Sequence, residues 1–149
     1  MKKNICTEAV INAPIETVWS ILTDFAAFPQ WNSFITGISG SLAEGSCLNV
    51  CIQPAGGRAM RFKPRLLVCQ APQELRWLGS LPLRGLFDGE HFFRLEALSE
   101  HTTRLVHGED FSGILVRLMA GSLDKHTLPA FEKMNRELKQ RAESFFQTA

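Results

Sequence analysis

The chain has no tyrosine at all, although it carries eleven phenylalanines and three tryptophans among its 149 residues. Its aromatic surface is therefore apolar wall, with no phenolic hydroxyl to hold a hydrogen bond or move a proton. An excess of charge is also missing: 16 Lys and Arg stand against 15 Asp and Glu. The field of the whole molecule thus gives no reason to expect nucleic acid or an anionic membrane surface as a partner. No apolar run approaches the ~20 residues that cross a bilayer, so no stable membrane insertion is expected. Paired cysteine spacing is absent too, with Cys6, Cys47, Cys51 and Cys69 scattered among predicted strands. Cys47 and Cys51 are four apart, but on a strand that spans roughly 13 Å, and both would have to bend toward one ion. No cleavable apolar leader follows Met1, Lys2 and Lys3, so the four read as reduced thiols of a cytoplasmic protein with no metal. A Gly-rich phosphate loop, a Ser-centred nucleophile elbow and a hydride-cofactor fingerprint are all lacking, and no cofactor is expected.

What is present is patterned from end to end. A length of 149 residues suits one domain over 1–149 with a continuous core, as a monomer or weak homodimer. Residues 3–11 alternate and favour a strand, which Asn12, Ala13 and Pro14 close before opening a helix with proline in its first turn. Val18, Trp19, Ile21, Leu22, Phe25 and Phe28 recur at helical intervals, predicting a short helix, a turn and a second short helix that ends near Pro29. Strands follow over 34–41, 47–53, 58–70 with an interruption at Pro64, 74–78, 90–98 and 102–111. Residues 79–89, with Pro82, Gly85 and the apolar Leu83, Leu86 and Phe87, read as a loop folded over something. Gly121 and Ser122 separate a short helical piece from a long final helix, whose inward stripe is Leu128, Phe131, Met134, Leu138, Ala142 and Phe145.

A strand, two short helices, a run of strands and one long helix is the order of the helix-grip fold. The motifs agree: Asn12-Ala13-Pro14-Ile15-Glu16-Thr17-Val18-Trp19 with Leu22-Thr23-Asp24 resembles the strand-to-helix junction of bacterial START-like (SRPBCC) proteins. Trp31-Asn32-Ser33-Phe34 is similar to a Trp-Asn-Pro-Phe segment of one branch, with Ser33 in place of the proline. Leu75-Arg76-Trp77, Gly89-Glu90-His91-Phe92-Phe93, Glu109-Asp110-Phe111-Ser112-Gly113 and Phe131-Glu132-Lys133-Met134-Asn135 resemble it too. The resemblance spans nearly the whole chain. It implies an α+β helix-grip (Bet v 1-like) fold, in which a curved antiparallel sheet wraps a long C-terminal helix and leaves a cavity between them. The superfamily includes polyketide cyclase and dehydrase-like proteins and lipid-transfer domains, so the implied function ranges over carriers, enzymes and co-chaperone-like modules.

Strand parity selects the candidate chemistry. His91, Phe93 and Leu95 share a face of one strand, and Leu105, His107, Glu109 and Phe111 share a face of the next, so where the apolar members face the cavity His91, His107 and Glu109 face it together. Glu109 with His91 or His107 is then either an acid/base set or a group of buried residues that satisfy one another. Asn135 falls on the inward helix stripe and needs a partner, either a backbone carbonyl of the sheet or first helices, or a polar ligand group. The expected lining comprises Trp31, Asn32, Phe34, Phe62, Trp77, His91, Phe93, Glu109, Phe111, Met119, Met134 and Asn135. Three readings remain: a binder of a small or medium hydrophobic molecule, a cyclase/dehydratase-like enzyme, or a partner-binding module with a filled interior.

Overall fold

The computed structural model describes residues 2–54, 56–80 and 84–148. Strand β1 (Lys2–Ile11) leads into helix α1 (Ile15–Thr23), a 3-10 turn (Phe25–Ala27) and the single-turn helix α2 (Phe28–Trp31). Strands β2 (Ile35–Ser39), β3 (Asn49–Ile52), β4 (Met60–Phe62), β5 (Arg65–Gln70), β6 (Glu74–Ser80), β7 (Asp88–Ser99) and β8 (Thr102–Ser112) follow. Helix α3 (Val116–Ser122), a π turn (Leu123–Thr127) and helix α4 (Leu128–Thr148) complete the chain. The strands form two antiparallel sheets, ordered β1-β8-β7-β6-β5 and β2-β3-β4.

Local chemistry explains the breaks. The Pro14 carbonyl accepts the amides of Thr17 and Val18 to start α1, and the Thr103 hydroxyl donates to the Ala13 carbonyl, tying this junction to β8. Pro29 lies in the first turn of α2 and begins that helix instead of ending it, because an amide there has no partner inside the helix to lose. The long extended run divides at Pro64, with β4 in the smaller sheet and β5 in the larger. Proline has no amide to carry a ladder across, and its carbonyl accepts the Leu48 amide instead. The expected loop over 79–89 is shorter, since Gly79 and Ser80 extend β6 while Asp88 and Gly89 begin β7. Pro82 and Leu83 lie outside the described residues.

Helix α4 packs Phe131, Met134, Leu138 and Ala142 into the core. Phe145 departs from the expected stripe and is 49% exposed beneath the Arg141 guanidinium. The next residue, Phe146, packs against the core in its place and meets the His101 ring at 5.1 Å. Gly121 and Ser122 do not separate two helices, for α3 passes through the π turn into α4 without a gap. Among the described residues no helix is long and apolar enough to cross a membrane.

Candidate functional site

Two rows of side chains cross the larger sheet. The pairing of β6, β7 and β8 puts Trp77 opposite His91 and His91 opposite Glu109. One row along, Thr7 of β1 faces His107, which faces Phe93. The two imidazoles are thus diagonal neighbours on one face of an antiparallel pair, near enough to touch.

They belong to a continuous chain of five polar side chains. The Thr7 hydroxyl donates to the His107 carbonyl at 2.7 Å, and Asn135 Nδ2 donates to Thr7 Oγ1 at 2.7 Å. Asn135 Oδ1 lies 2.8 Å from His107 Nδ1. The two Nε2 atoms of His107 and His91 are 2.8 Å apart, and His91 Nδ1 is 3.0 Å from Glu109 Oε1. Asn135 therefore finds its partners in side chains of β1 and β8. Aromatic faces enclose the rings. His107 is stacked between Phe131 at 4.3 Å and Phe93 at 4.5 Å, and His91 lies on Trp77 at 5.1 Å.

Such surroundings penalise charge. Burial holds the His91 imidazole down at about 3. His107 is also lowered, by burial first and then by His91, against the opposing pull of Asn135 and the Phe131 carbonyl. Burial pushes the Glu109 carboxyl up to about 8, with the Asp110 charge adding to the rise. His91 and Glu109 thus meet at ion-pair distance as two neutral groups sharing a proton, since neither charged form is favoured there.

Glu109 ends this chain at a cavity of about 510 Å³. Phe34, Phe62, Trp77, His91, Glu109, Phe111 and Met119 of the expected lining face it. The other five do not. Trp31 packs on Phe28 at 5.0 Å, and Asn32 Oδ1 accepts the Phe34 and Ile35 amides, holding the turn into β2. Phe93 and Met134 lie in the packed core, where they back the polar chain, and Asn135 is occupied within that chain.

Apart from Phe62 on β4, period-two reasoning on single strands missed the opposite wall. Ile35, Val50, Ile52 and Met60 reach the cavity from the smaller sheet, and Leu123, His126 and Thr127 from the π turn. An extra residue in a helical turn re-aims side chains, and such turns are frequent at functional sites. Thr7 was missed as well, though its place between buried Ile5 and Ile11 on β1 is a readable signal. Gly89 allows the carboxyl its position: a Cβ there would lie 1.9 Å from Glu109 Oε2. Among the described residues no three His, Cys, Asp or Glu side chains are grouped to hold a metal ion.

Comparison with solved structures finds the same fold. The Zhui aromatase/cyclase from Streptomyces sp. R1128 superposes with a TM-score of 0.75 at 14% identity, over 96% of this chain and 94% of that one. A START superfamily protein from Mycobacterium smegmatis gives 0.70 at 24% identity, over 95% and 98%. Norcoclaurine synthase from Thalictrum flavum, in complex with dopamine and hydroxybenzaldehyde, gives 0.71 at 9% identity, over 94% and 86%. Among curated proteins none matches. The family model described as polyketide cyclase / dehydrase and lipid transport matches residues 4–143, and the chain belongs to that family.

Proposed function

We propose that this protein binds a small or medium hydrophobic molecule in the cavity between its two sheets and the π turn. The observation that carries the reading is the cavity: about 510 Å³ within apolar walls, with a single carboxyl among the described residues that line it. Protein interiors otherwise close-pack, and a space of this size and lining is the usual form of a ligand site. The family's description, which includes lipid transport, and the two aromatic molecules held by the norcoclaurine synthase neighbour support it. Four free cysteines accord with a reducing compartment, and we include a cytoplasmic location in the reading.

Trp77 reports occupancy, because it lines the cavity while remaining 2% exposed. In a Trp19→Phe, Trp31→Phe background, its emission should change as neutral aromatic or aliphatic compounds are titrated in. Native mass spectrometry of protein purified from its own host should show a retained mass. Flat titrations together with a ligand-free mass would overturn the reading.

A second reading is favoured by one contact, the 3.0 Å approach of Glu109 Oε1 to His91 Nδ1. A carboxyl placed there accepts a proton from a bound molecule at Oε2 while passing its own from Oε1 to His91, leaving an imidazolium and a substrate anion. This is the acid/base step of a cyclase or dehydratase. Glu109→Gln should then retain binding and lose turnover, since an amide accepts no proton at useful pH. Retained turnover in that variant would dismiss the second reading and spare the first. The open cavity weighs against a partner-binding module with a filled interior.

A further inference from the structure

The direction of every hydrogen bond in the five-residue chain follows from its far end. The Thr7 hydroxyl has one hydrogen and spends it on the His107 carbonyl at 2.7 Å. Its oxygen is left to accept, so the Asn135 amide must present its NH2 to Thr7 and its oxygen to His107. His107 Nδ1 therefore carries the proton, and in the neutral ring Nε2 is bare. His91 Nε2 must donate across the 2.8 Å gap, which leaves His91 Nδ1 bare in turn. With His91 kept neutral by its burial, only a proton on Glu109 Oε1 completes the 3.0 Å contact. Two bare acceptors at that distance would repel.

Glu109 consequently shows the cavity its other oxygen. Oε2 lies over Gly89, which itself lines the cavity. No described residue donates to it, and it is not among the sealed polar atoms. Held in this way, Oε2 is an uncharged carbonyl acceptor. A hydroxyl satisfies it, whereas an ether or ketone brings only lone pairs and a carboxylate adds a charge to an apolar pocket.

Resting on the binding function proposed above, we propose that the cavity selects an uncharged apolar molecule bearing a hydroxyl, which donates to Glu109 Oε2, and that Thr7 sets this preference through Asn135, His107 and His91. The groups facing Glu109 are consistent. His91 approaches from β7 with His107 behind it, His126 lines the cavity from the π turn, and Ile5 is its partner on β1. Asp110, the next residue on β8, adds negative potential that further disfavours a second charge.

Three probes of one ring system test the selection by equilibrium dialysis at about pH 6.5: 2-naphthol, 2-methoxynaphthalene and 2-naphthoate. Naphthol should bind about tenfold tighter than its methyl ether, the value of one hydrogen bond, with naphthoate weakest. Glu109→Gln keeps the order, because its amide donates to His91 and turns its oxygen to the cavity. Glu109→Met loses the difference between naphthol and ether. Equal affinities in the wild type, or naphthoate binding best, overturn the selection and leave the cavity reading standing. Binding of none of the three overturns the selection, and together with a ligand-free native mass it overturns the cavity reading as well.

The role of Thr7 has a separate readout, the infrared carbonyl band of a protonated carboxylic acid, identified by its loss in Glu109→Gln. In Thr7→Val no hydroxyl fixes Asn135, so its amide can turn, every bond reverses, and His91 donates to an ionised Glu109. The band's midpoint should fall by about one pH unit or more and stay in place in Thr7→Ser. An unmoved midpoint in Thr7→Val, or its fall in Thr7→Ser, would refute the assignment of Thr7.

Discussion

At Glu109 and its two histidines, burial makes stability depend on pH in opposite senses. The carboxyl is raised from 4.5 to about 8, so the folded state holds its proton more tightly than the unfolded chain does. That contribution is whole below pH 4.5 and is lost as pH rises toward 8. His91, lowered from 6.5 to about 3, and His107, lowered also, destabilise the fold increasingly as pH falls below 6.5. Between 4.5 and 6.5 two rings outweigh one carboxyl, and above 6.5 the carboxyl acts alone, so these groups place maximum stability near pH 6.5. Urea midpoints measured from about pH 4 to 9 should show that peak, and Glu109→Gln should remove the alkaline decline while keeping the acid one. An identical alkaline limb in both proteins would contradict a buried protonated carboxyl. Gly89→Ala probes the same group by sterics. Its Cβ would overlap Oε2, and the carboxyl, as the end of a flexible side chain, should swing off His91 with the fold intact. Loss of naphthol preference with an unchanged circular dichroism spectrum is the expected result. Parity alone put Glu109, His91 and His107 on one face, but the proton order was not legible. It depends on Thr7 and Asn135, brought together across 128 positions of sequence.

Helix α4 was readable as an element because its apolar residues keep a 3.6 period. Leu138, fully buried on that stripe, gives a test: Leu138→Ala should lower stability by roughly 2–5 kcal/mol, through lost transfer energy and a residual cavity. An unchanged denaturation midpoint would remove this face from the core. Phe145 and Phe146 show where periodicity stops deciding. Both fit an apolar stripe within the spread of one residue, and the packing of Phe146 against the core takes the inward place. The division of β4 from β5 lay beyond the pattern for a different reason. Pro64 marked an interruption, but whether a strand stays in its sheet or changes sheet depends on its neighbours in space. The π turn is likewise silent in sequence, since one added residue leaves hydrophobic spacing almost unaltered while turning His126 and Thr127 toward the cavity.

Over the whole molecule, the two walls of the cavity differ in how fully their strands are paired. Strand β8 is paired along its length with β1 on one side and β7 on the other, whereas β4 is a three-residue strand at the edge of the smaller sheet. The cavity lies between them, and its lining runs from Trp77 and Glu109 on the larger sheet to Val50, Ile52 and Met60 on the smaller and to the π turn. A ligand in that space ties the weakly held wall to the strongly held one. Amides in β8, paired on both sides, should open only with global unfolding and so gain only what the ligand adds to total stability. Those in β3, β4 and the π turn should exchange through local openings, and openings that release the ligand are suppressed by one plus the ratio of free ligand to Kd. Hydrogen exchange with 2-naphthol near saturation should therefore slow by about tenfold or more in residues 49–53, 56–62 and 115–127 at an early time when β8 amides have not yet exchanged. Protection confined to the outer face of the larger sheet, around Cys6, Arg94 and Arg104, would instead place the ligand in the polar groove there. That groove is lined by charged side chains, which an apolar molecule would have to desolvate without compensation. The apolar cavity requires no such loss, so exchange should slow along the wall formed by the smaller sheet and the π turn.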